Sequence, residues 1–98
     1  MIVEFSDEAE SDLEQIANDI AKDNPRRALS FVLELRGKCE ALVASPLAFS
    51  LVPRYESYGI RRRVHGNYLI FYRVRAEQVI IVHFLHGASD YAAVLFAG

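Results

Sequence analysis

A run of three arginines is the first feature of this sequence that could do chemistry. Arg61, Arg62 and Arg63 stand in the segment GIRRRVHGNYLIFYRV, and Arg73 and Arg75 follow soon after. Guanidinium groups bind phosphates and carboxylates through paired, charge-assisted hydrogen bonds. Runs of charge also commonly lie in solvent along a strand, with the arginine stems covering apolar surface. The residues alone leave both interpretations open.

A second group of residues raises the question of RNA cleavage. That reaction needs a base for the 2′-hydroxyl, an acid for the leaving oxygen and a cation for the phosphate. Arg61, His83 and a tyrosine could fill these roles, with His86 as a further candidate. The only two lysines, Lys22 and Lys38, fall on predicted helices away from the strands. Catalysis therefore stands as an alternative, and the main interpretation has no catalytic residue.

The remaining reactive side chains predict neither a metal site nor a cofactor. His83 and His86 are three apart on a predicted strand and so lie on opposite faces, while His65 is the only other histidine and Cys39 the only cysteine. Such a set does not fit a zinc site. Cys39 falls on the apolar side of a helix, where a free thiol packs as a small hydrophobic group. We expect His86 to fix the end of its strand through a hydrogen bond.

Composition and charge limit the class of protein. A chain of 98 residues that is 52% apolar predicts one domain, residues 1–98, around a single core. Residues 1–50 carry 10 acids and 5 bases, whereas residues 51–98 carry 3 acids and 6 bases. With a pI near 5.9, general nucleic-acid binding and specific DNA binding are not expected. The chain has no apolar run long enough to span a membrane and its N-terminus is acidic, so we expect a cytoplasmic protein.

Two amphipathic helices are predicted in the first half of the chain. Ser6 can cap the first helix, whose apolar positions recur at helical spacing. These positions are Ala9, Leu13, Ile16, Ala17 and Ile20. Asn24 and Pro25 predict a tight turn and the start of a second helix. The second apolar stripe is Ala28, Phe31, Val32, Leu35, Cys39, Leu42 and Val43. Two such helices joined by a short link predict an antiparallel hairpin.

The second half of the chain has the two-residue period of strands. Strands are predicted at 60–65, 68–75 and 78–86, separated by turns at Gly66-Asn67 and near Ala76-Glu77, and a short strand at 2–5 opens the chain. Ser89 or Asp90 can cap a short closing helix, while 47–58 stays unassigned. The predicted fold is α+β, with a two-helix antiparallel hairpin packed on a small antiparallel sheet of three to four strands. Its element order is β-α-α-β-β-β followed by a short C-terminal helix.

Alternation along the strands predicts which side chains share a face. Arg61 and Arg63 share one face and Arg62 lies on the other. If the register allows it, one side of the sheet carries a cationic platform, which consists of Arg61, Arg63, Arg73 and Arg75. The predicted core stripes of the last two strands are Tyr68, Ile70, Tyr72 and Val74, and Ile80, Val82 and Phe84.

The order of elements, together with several short motifs, closely resembles the ParE branch of the ParE/RelE toxin superfamily. The motifs are FSDEAESDLEQIA after the opening strand, Gly59-Ile60-Arg61, Tyr68-x-Ile70-x-Tyr72 and Phe84-Leu85-His86-Gly87. The likeness covers nearly the whole chain. The motifs are specific in combination and not singly.

The resemblance implies the toxin of a bacterial type II toxin–antitoxin system. ParE-like members are taken to poison DNA gyrase, whereas RelE-like members cut messenger RNA in the ribosomal A site. The acidic pI, the absence of lysines from the strands and the LHG ending favour the ParE-like function. The alternatives are a ribosome-dependent endoribonuclease of the RelE type and a non-toxic relative that serves as a binding module.

The resemblance also implies two protein partners. One is a cognate antitoxin whose acidic C-terminal segment folds around the toxin, in a groove between hairpin and sheet, and the other is DNA gyrase. Residues expected to bind antitoxin or target are Arg61, Arg62, Arg63, Tyr72, Arg73, Arg75 and His83. Two positions depart from the family pattern, since relatives often have arginine at position 83 and an apolar residue at position 63.

Overall fold

A computed structural model describes residues 1–96 and shows a sheet with a helical hairpin on one face and a short helix on the other. The elements in chain order are β1 (Ile2–Phe5), α1 (Asp7–Ala21), α2 (Pro25–Ala41), β2 (Ile60–His65), β3 (Tyr68–Arg75), β4 (Gln78–His86) and α3 (Tyr91–Phe96). The predicted α+β class and the bounds of all four strands are confirmed. None of the helices in this part of the chain is long and apolar enough to cross a membrane.

Both long helices begin where the sequence predicts, with Ser6 and Asn24 as their N-caps. The Ser6 hydroxyl accepts a hydrogen bond from the Ala9 amide at 3.0 Å and donates one to the Val82 carbonyl at 2.8 Å. The Asn24 side chain accepts from the Arg27 amide at 3.1 Å, and a proline follows it at the first helical position. Ser6 therefore both starts α1 and fastens that start to β4.

The sheet has the order β1-β4-β3-β2 and is mixed rather than wholly antiparallel. Strands β2, β3 and β4 form the predicted antiparallel meander, but β1 runs parallel to β4, with Ile2 opposite Gln78 and Phe5 opposite Ile81. A parallel pair needs a long crossover connection, which the whole chain between β1 and β4 supplies. Hydrophobic alternation carries no information on strand direction, so the sequence could not distinguish the two arrangements.

Apolar cores lie on both sides of the sheet. The face under α1 and α2, here called the hairpin face, is packed by Leu13, Ile16, Phe31, Leu35, Ile70, Tyr72, Ile81 and Phe84, among others. The opposite side, here called the α3 face, is packed by Val52, Ile60, Leu69 and Phe71 with Tyr55, Tyr91 and Leu95 against them. Phe71 and Tyr72 are adjacent in β3 and both are 0% exposed, so the central strand is buried on both faces.

A β-bulge in β4 changes which of its side chains enter the core. Phe71 lies opposite His83 while Tyr72 lies opposite Ile81, which leaves Val82 as an extra residue. Val79 and Ile81 are buried before the bulge, and Phe84 is buried after it. The predicted stripe was therefore right for Phe84 and wrong for Ile80 and Val82, because the bulge shifts the alternation by one residue.

Replacing Ser6 tests the link between helix α1 and strand β4. Ser6→Ala removes the N-cap and the bond to Val82, so it should lower the free energy of unfolding by about 1–2 kcal/mol. The matched control is Ser11→Ala, at an exposed position inside the same helix, which should change stability by less than about 0.5 kcal/mol. Urea unfolding followed by circular dichroism measures both. Equal stabilities of the two variants would contradict this role of Ser6.

Candidate functional site

The three consecutive arginines of β2 divide between the two faces of the sheet. Arg61 lies opposite Tyr72 and Arg63 opposite Ile70, so both belong to the hairpin face. Arg62 lies opposite Phe71 and belongs to the α3 face. The run is therefore not one site, because neighbouring side chains on a strand point in opposite directions.

Arg61 and Arg63 bind backbone carbonyl groups of the protein itself. The Arg61 guanidinium donates to the Phe49 carbonyl at 2.7 Å and to the Leu47 carbonyl at 3.4 Å. Arg63 donates to the Lys38 carbonyl at 3.2 Å, and its guanidinium carbon lies 4.8 Å from the centre of the Phe49 ring. Both arginines therefore hold the connection after α2 against the sheet.

That connection also covers part of the free edge of β2. The Val52 amide donates to the Ile60 carbonyl at 2.9 Å, and the Arg62 amide donates to the Ser50 carbonyl at 3.0 Å. An unpaired strand edge is a template for another chain, so this segment limits how an extended partner can pair with β2. The part of the chain that the sequence left unassigned thus has a structural role.

Tyr72 lies too deep to meet a partner. Its side chain is 0% exposed and its hydroxyl donates to the Pro46 carbonyl at 2.7 Å. Burial raises the pKa of this phenol above its ordinary value of 10.0, against a weaker opposing effect of Arg61. Tyr72 was expected among the binding residues, but the structure makes it a support for the connection after α2.

Arg73 and Arg75 lie on the α3 face together with Arg62. Arg73 is opposite Ile60 in the register of β2 and β3, and Arg75 follows two residues later on the same side. The predicted cationic platform is therefore wrong, because its members divide between the two faces. Arg73 donates only a long bond, 3.4 Å, to the Tyr58 carbonyl. Arg75 is exposed and has no side-chain hydrogen bond among residues 1–96.

A surface cavity beside α3 is lined by two cations and three hydroxyl-bearing residues. It has a volume of about 420 Å³, and its polar lining consists of Arg54, Tyr55, Arg62, Ser89, Asp90 and Tyr91. Arg62 donates to the Tyr91 hydroxyl at 2.8 Å, so that hydroxyl keeps its own proton for a ligand. Donors of this kind suit a phosphate or carboxylate group, against the single opposing charge of Asp90.

Sequence reasoning missed Arg54 and Tyr91. Arg54 stands in the unassigned connection and has a φ angle of +74°, a left-handed conformation that is uncommon for residues other than glycine. Tyr91 falls in the predicted closing helix, where no motif indicates a polar role for its hydroxyl. No local pattern places these side chains beside Arg62, because their proximity depends on α3 folding back over the sheet.

His83 is held by a carboxylate on helix α1. Its Nδ1 lies 2.7 Å from Asp12 Oδ2, and the same oxygen accepts the Phe84 amide at 2.9 Å. Asp12 therefore binds a backbone amide next to the bulge and also orients the His83 imidazole. A histidine held by a carboxylate in this way can act as a general base. The adjoining cavity, about 390 Å³, is also lined by Asp7 and Glu8. These carboxylates repel a phosphate, so the surroundings of His83 do not suit RNA.

The three residues considered for RNA cleavage do not form one site. Arg61 is on β2 and His83 is on β4, with β3 between them, so their backbones are separated by two strand spacings, about 10 Å. His86 lies three residues beyond His83, about 10 Å further along the strand. Its Nδ1 accepts the Ala88 amide at 3.1 Å, as expected for a residue that fixes the strand end.

A second histidine joins the sheet to helix α2. His65 Nε2 lies 3.1 Å from Glu34 Oε1, and Arg27 pairs with both oxygens of the same carboxylate. The hydrogen bond from Arg27, followed by that from His65, lowers the pKa of Glu34 below its ordinary value of 4.5. The Phe31 ring lies next to both the Arg27 guanidinium and the His65 ring, so this cluster closes one end of the hairpin core.

Cys39 is neither a metal ligand nor a reactive thiol in this fold. It is 0% exposed, and burial raises its pKa to about 12, so the thiolate is scarce at neutral pH. Among the residues that the structure describes, no group of three or more His, Cys, Asp and Glu side chains is placed to hold a metal ion.

Comparisons with known proteins agree with the arrangement of the elements. Residues 3–91 match the family described as ParE toxin of type II toxin-antitoxin system, parDE. The structure is similar to one described as the chromosomal ParDE TA system from P. aeruginosa, with a TM-score of 0.70 and 22% identity over 88% of this chain and 95% of that chain. At this identity, the likeness shows the fold alone.

A second solved structure is similar at slightly higher sequence identity. It is the toxin-antitoxin complex RelBE2 from Mycobacterium tuberculosis, with a TM-score of 0.56 and 26% identity over 87% of this chain and 95% of that chain. A search of curated protein sequences found no match to this chain.

Replacing Glu34 tests the contribution of its ion pairs to acid stability. Because the folded-state pKa of Glu34 is lowered, its contribution is complete above the unfolded value of about 4.5 and is lost as the pH falls through the folded value. Glu34→Gln should therefore be less stable than the wild type at neutral pH, and the difference should shrink on acidification below pH 4.5. Urea unfolding at a series of pH values measures this difference. The control is Glu14→Gln, at an exposed position on α1, and a constant difference for Glu34→Gln would contradict the assignment.

Proposed function

Since the chain belongs to the ParE toxin family of type II toxin–antitoxin systems, we propose that it acts by inhibiting DNA gyrase and that a cognate antitoxin neutralises it. The observation that carries the proposal is the family match over residues 3–91. The geometry supports a non-enzymatic mechanism, because Arg61, His83 and His86 stand apart and each is engaged by another group of the protein. An inhibitor that acts by binding requires an exposed surface instead. Its place of action is the cytoplasm, where gyrase works.

The α3 face supplies sheet arginines whose donors remain partly free for an acidic antitoxin segment. Arg62 has one side-chain bond, Arg73 has one long bond, and Arg75 has none within the described residues. Their remaining N–H groups can donate charge-assisted bonds to carboxylates, at the cost of ordering a flexible segment. Arg61 and Arg63 contribute to antitoxin binding through the guanidinium N–H groups that do not bind the backbone carbonyl groups of the chain itself. The carboxylates around His83 disfavour an acidic segment there, so its proposed contact is with the target.

Two assays separate the proposed target from the alternative one. The purified chain should block the supercoiling of relaxed plasmid by gyrase and should leave messenger RNA intact in a translation reaction. The same preparation bound to its antitoxin should have no effect on gyrase. Codon-dependent cleavage of the message together with unchanged supercoiling would overturn the gyrase proposal.

Charge reversal on the α3 face tests the proposed antitoxin contacts. Arg73→Glu combined with Arg75→Glu should weaken antitoxin binding at least tenfold, since each charged hydrogen bond is worth about 1.5–3 kcal/mol. Both side chains have few contacts of their own, so the free energy of unfolding should change by less than about 1 kcal/mol.

Calorimetric titration with the antitoxin measures this affinity. The control is Lys22→Glu, a reversal of charge at an exposed site just after α1, which should bind the antitoxin normally. Unchanged affinity of the double variant would remove Arg73 and Arg75 from the proposed antitoxin contacts without bearing on the target.

RNA cleavage is the second candidate function, and the cavity beside α3 is the observation that favours it. Two guanidinium groups can hold a phosphate there, and the Tyr91 hydroxyl, polarised by Arg62, can exchange a proton with it. If the chain cleaves RNA, Tyr91→Phe should lower the rate at least tenfold in a translation-coupled assay. Tyr58→Phe, an exposed tyrosine outside the cavity lining, should keep full activity. Equal loss in both variants would exclude a specific role of Tyr91.

A further inference from the structure

Helix α2 carries an exposed stripe that the fold of one chain does not use. Leu29 and Leu33 are 65% and 61% exposed and lie four residues apart, and Gly37 follows after four more. Arg26 and Glu40 extend the same line at either end. Around the helix axis, each residue is rotated by about 100° from the one before it. With the buried Leu35 set at 0°, these five residues lie between roughly 120° and 200°, on the side of α2 opposite the core. These five residues are here called the α2 stripe.

Gly37 has no role within the described structure. It lies in the middle of a helix, its backbone is not in the left-handed region, and a methyl group added to it would meet nothing within 4 Å. Glycine costs a helix roughly 1 kcal/mol relative to alanine. Glycine on a helix surface permits close approach of a second backbone, so this position points to a partner outside the chain.

The α2 stripe is complementary to a second copy of itself that runs in the opposite direction. If two copies of α2 pair antiparallel about Leu33, Leu29 of each copy meets Gly37 of the other, and the two Leu33 side chains meet at the centre. Arg26 then faces Glu40 at both ends. Neither Arg26 nor Glu40 forms an ion pair elsewhere among residues 1–96. Large thus opposes small, apolar opposes apolar and positive opposes negative, as an isologous two-fold interface requires.

We propose that the α2 stripe is a homodimer interface, in which a second copy of this chain packs antiparallel through Leu29, Leu33 and Gly37 and is held in register by Arg26–Glu40 pairs. The spacing of three, four, four and three residues is that of a seam between helices crossing at a shallow angle. The stripe is about 21 Å long, and the surface that it can bury is smaller than the roughly 800 Å² that each partner buries in a stable complex. The dimer is therefore weak. This proposal does not depend on the target of the toxin.

The first measurement is the mass of the chain in solution after separation from its antitoxin. Sedimentation equilibrium should show the mass rising from 11.1 kDa towards twice that value as the protein concentration passes through the order of 10–100 µM. A mass that stays at 11.1 kDa over this range would overturn the proposal.

Substitution at the centre of the stripe identifies the surface. Leu33→Glu places two carboxylates against each other and should weaken the dimer at least tenfold, while the thermal midpoint at low concentration stays within a few degrees of the wild type. Leu47→Glu, at another exposed leucine far from the stripe in sequence, is the matched control and should dimerise normally. A dimer that survives Leu33→Glu would show that another surface is used.

An exchange of charges tests the antiparallel register. Arg26→Glu and Glu40→Arg should each weaken the dimer, because each variant sets like charges against each other at both ends. The chain that carries both substitutions should regain most of the wild-type affinity, since the pairs are then restored with reversed polarity. Failure of the double variant to recover would contradict this pairing, even if the wild type dimerises.

Gly37→Ala should have opposite effects on the stability of helix α2 and on the affinity of the dimer, so it distinguishes the two. Alanine favours the helix, so the thermal midpoint of the monomer should rise. The added methyl groups hinder the approach of the opposite Leu29, so the dimer should weaken by several-fold. An increase in midpoint with unchanged dimerisation would contradict the close contact at Gly37.

Discussion

The burial of β3 on both faces is the constraint on which the rest of the structure depends. Phe71 and Tyr72 are consecutive and fully buried, and burial of each aromatic side chain contributes about 1.5–3 kcal/mol. A single helical hairpin can cover only one of the two faces. The α3 face is covered instead by the connection before β2 and by α3, a helix far too short to be stable alone. Contacts such as the stacking of Tyr55 on Phe96, with ring centres 4.1 Å apart, hold it in place.

The segments that cover each face of the sheet determine whether an arginine on that face is bound within the protein or available to a ligand. Arg61 and Arg63 point towards the hairpin side, where nearby backbone carbonyl groups accept their N–H groups. A half-buried guanidinium must find such acceptors, because an unpaired charge there would be costly. Arg62, Arg73 and Arg75 point to the other side, where the cover is shorter and their donors remain partly free. The same residue type thus supports the fold on one face and is available to a ligand on the other.

Local chemistry made much of the fold predictable from the sequence. The Ser6 cap and the Asn24–Pro25 turn indicated the starts of the two helices, because both signals act within a few residues, and alternation indicated the bounds of the strands. The structure differs from expectation where distant segments meet. The register of β2 on β3 separated the arginines, and the bulge at Val82 shifted the core of β4. The contacts of Asp12 could not be predicted, since nothing near it in the sequence indicates the amide and imidazole that it binds.

The surfaces considered for partners lie on different sides of the molecule, and this has a consequence for assembly. The α2 stripe points away from the sheet on the hairpin side, whereas Arg62, Arg73 and Arg75 lie on the α3 face beyond the sheet. A dimer through α2 would therefore leave both α3 faces free and directed outwards. Two such faces held on one particle bind a partner with two matching sites more tightly than separate copies do, because the second contact becomes intramolecular. Self-association and antitoxin binding are then compatible, and weak pairing of the toxin can strengthen its hold on a two-fold symmetric partner.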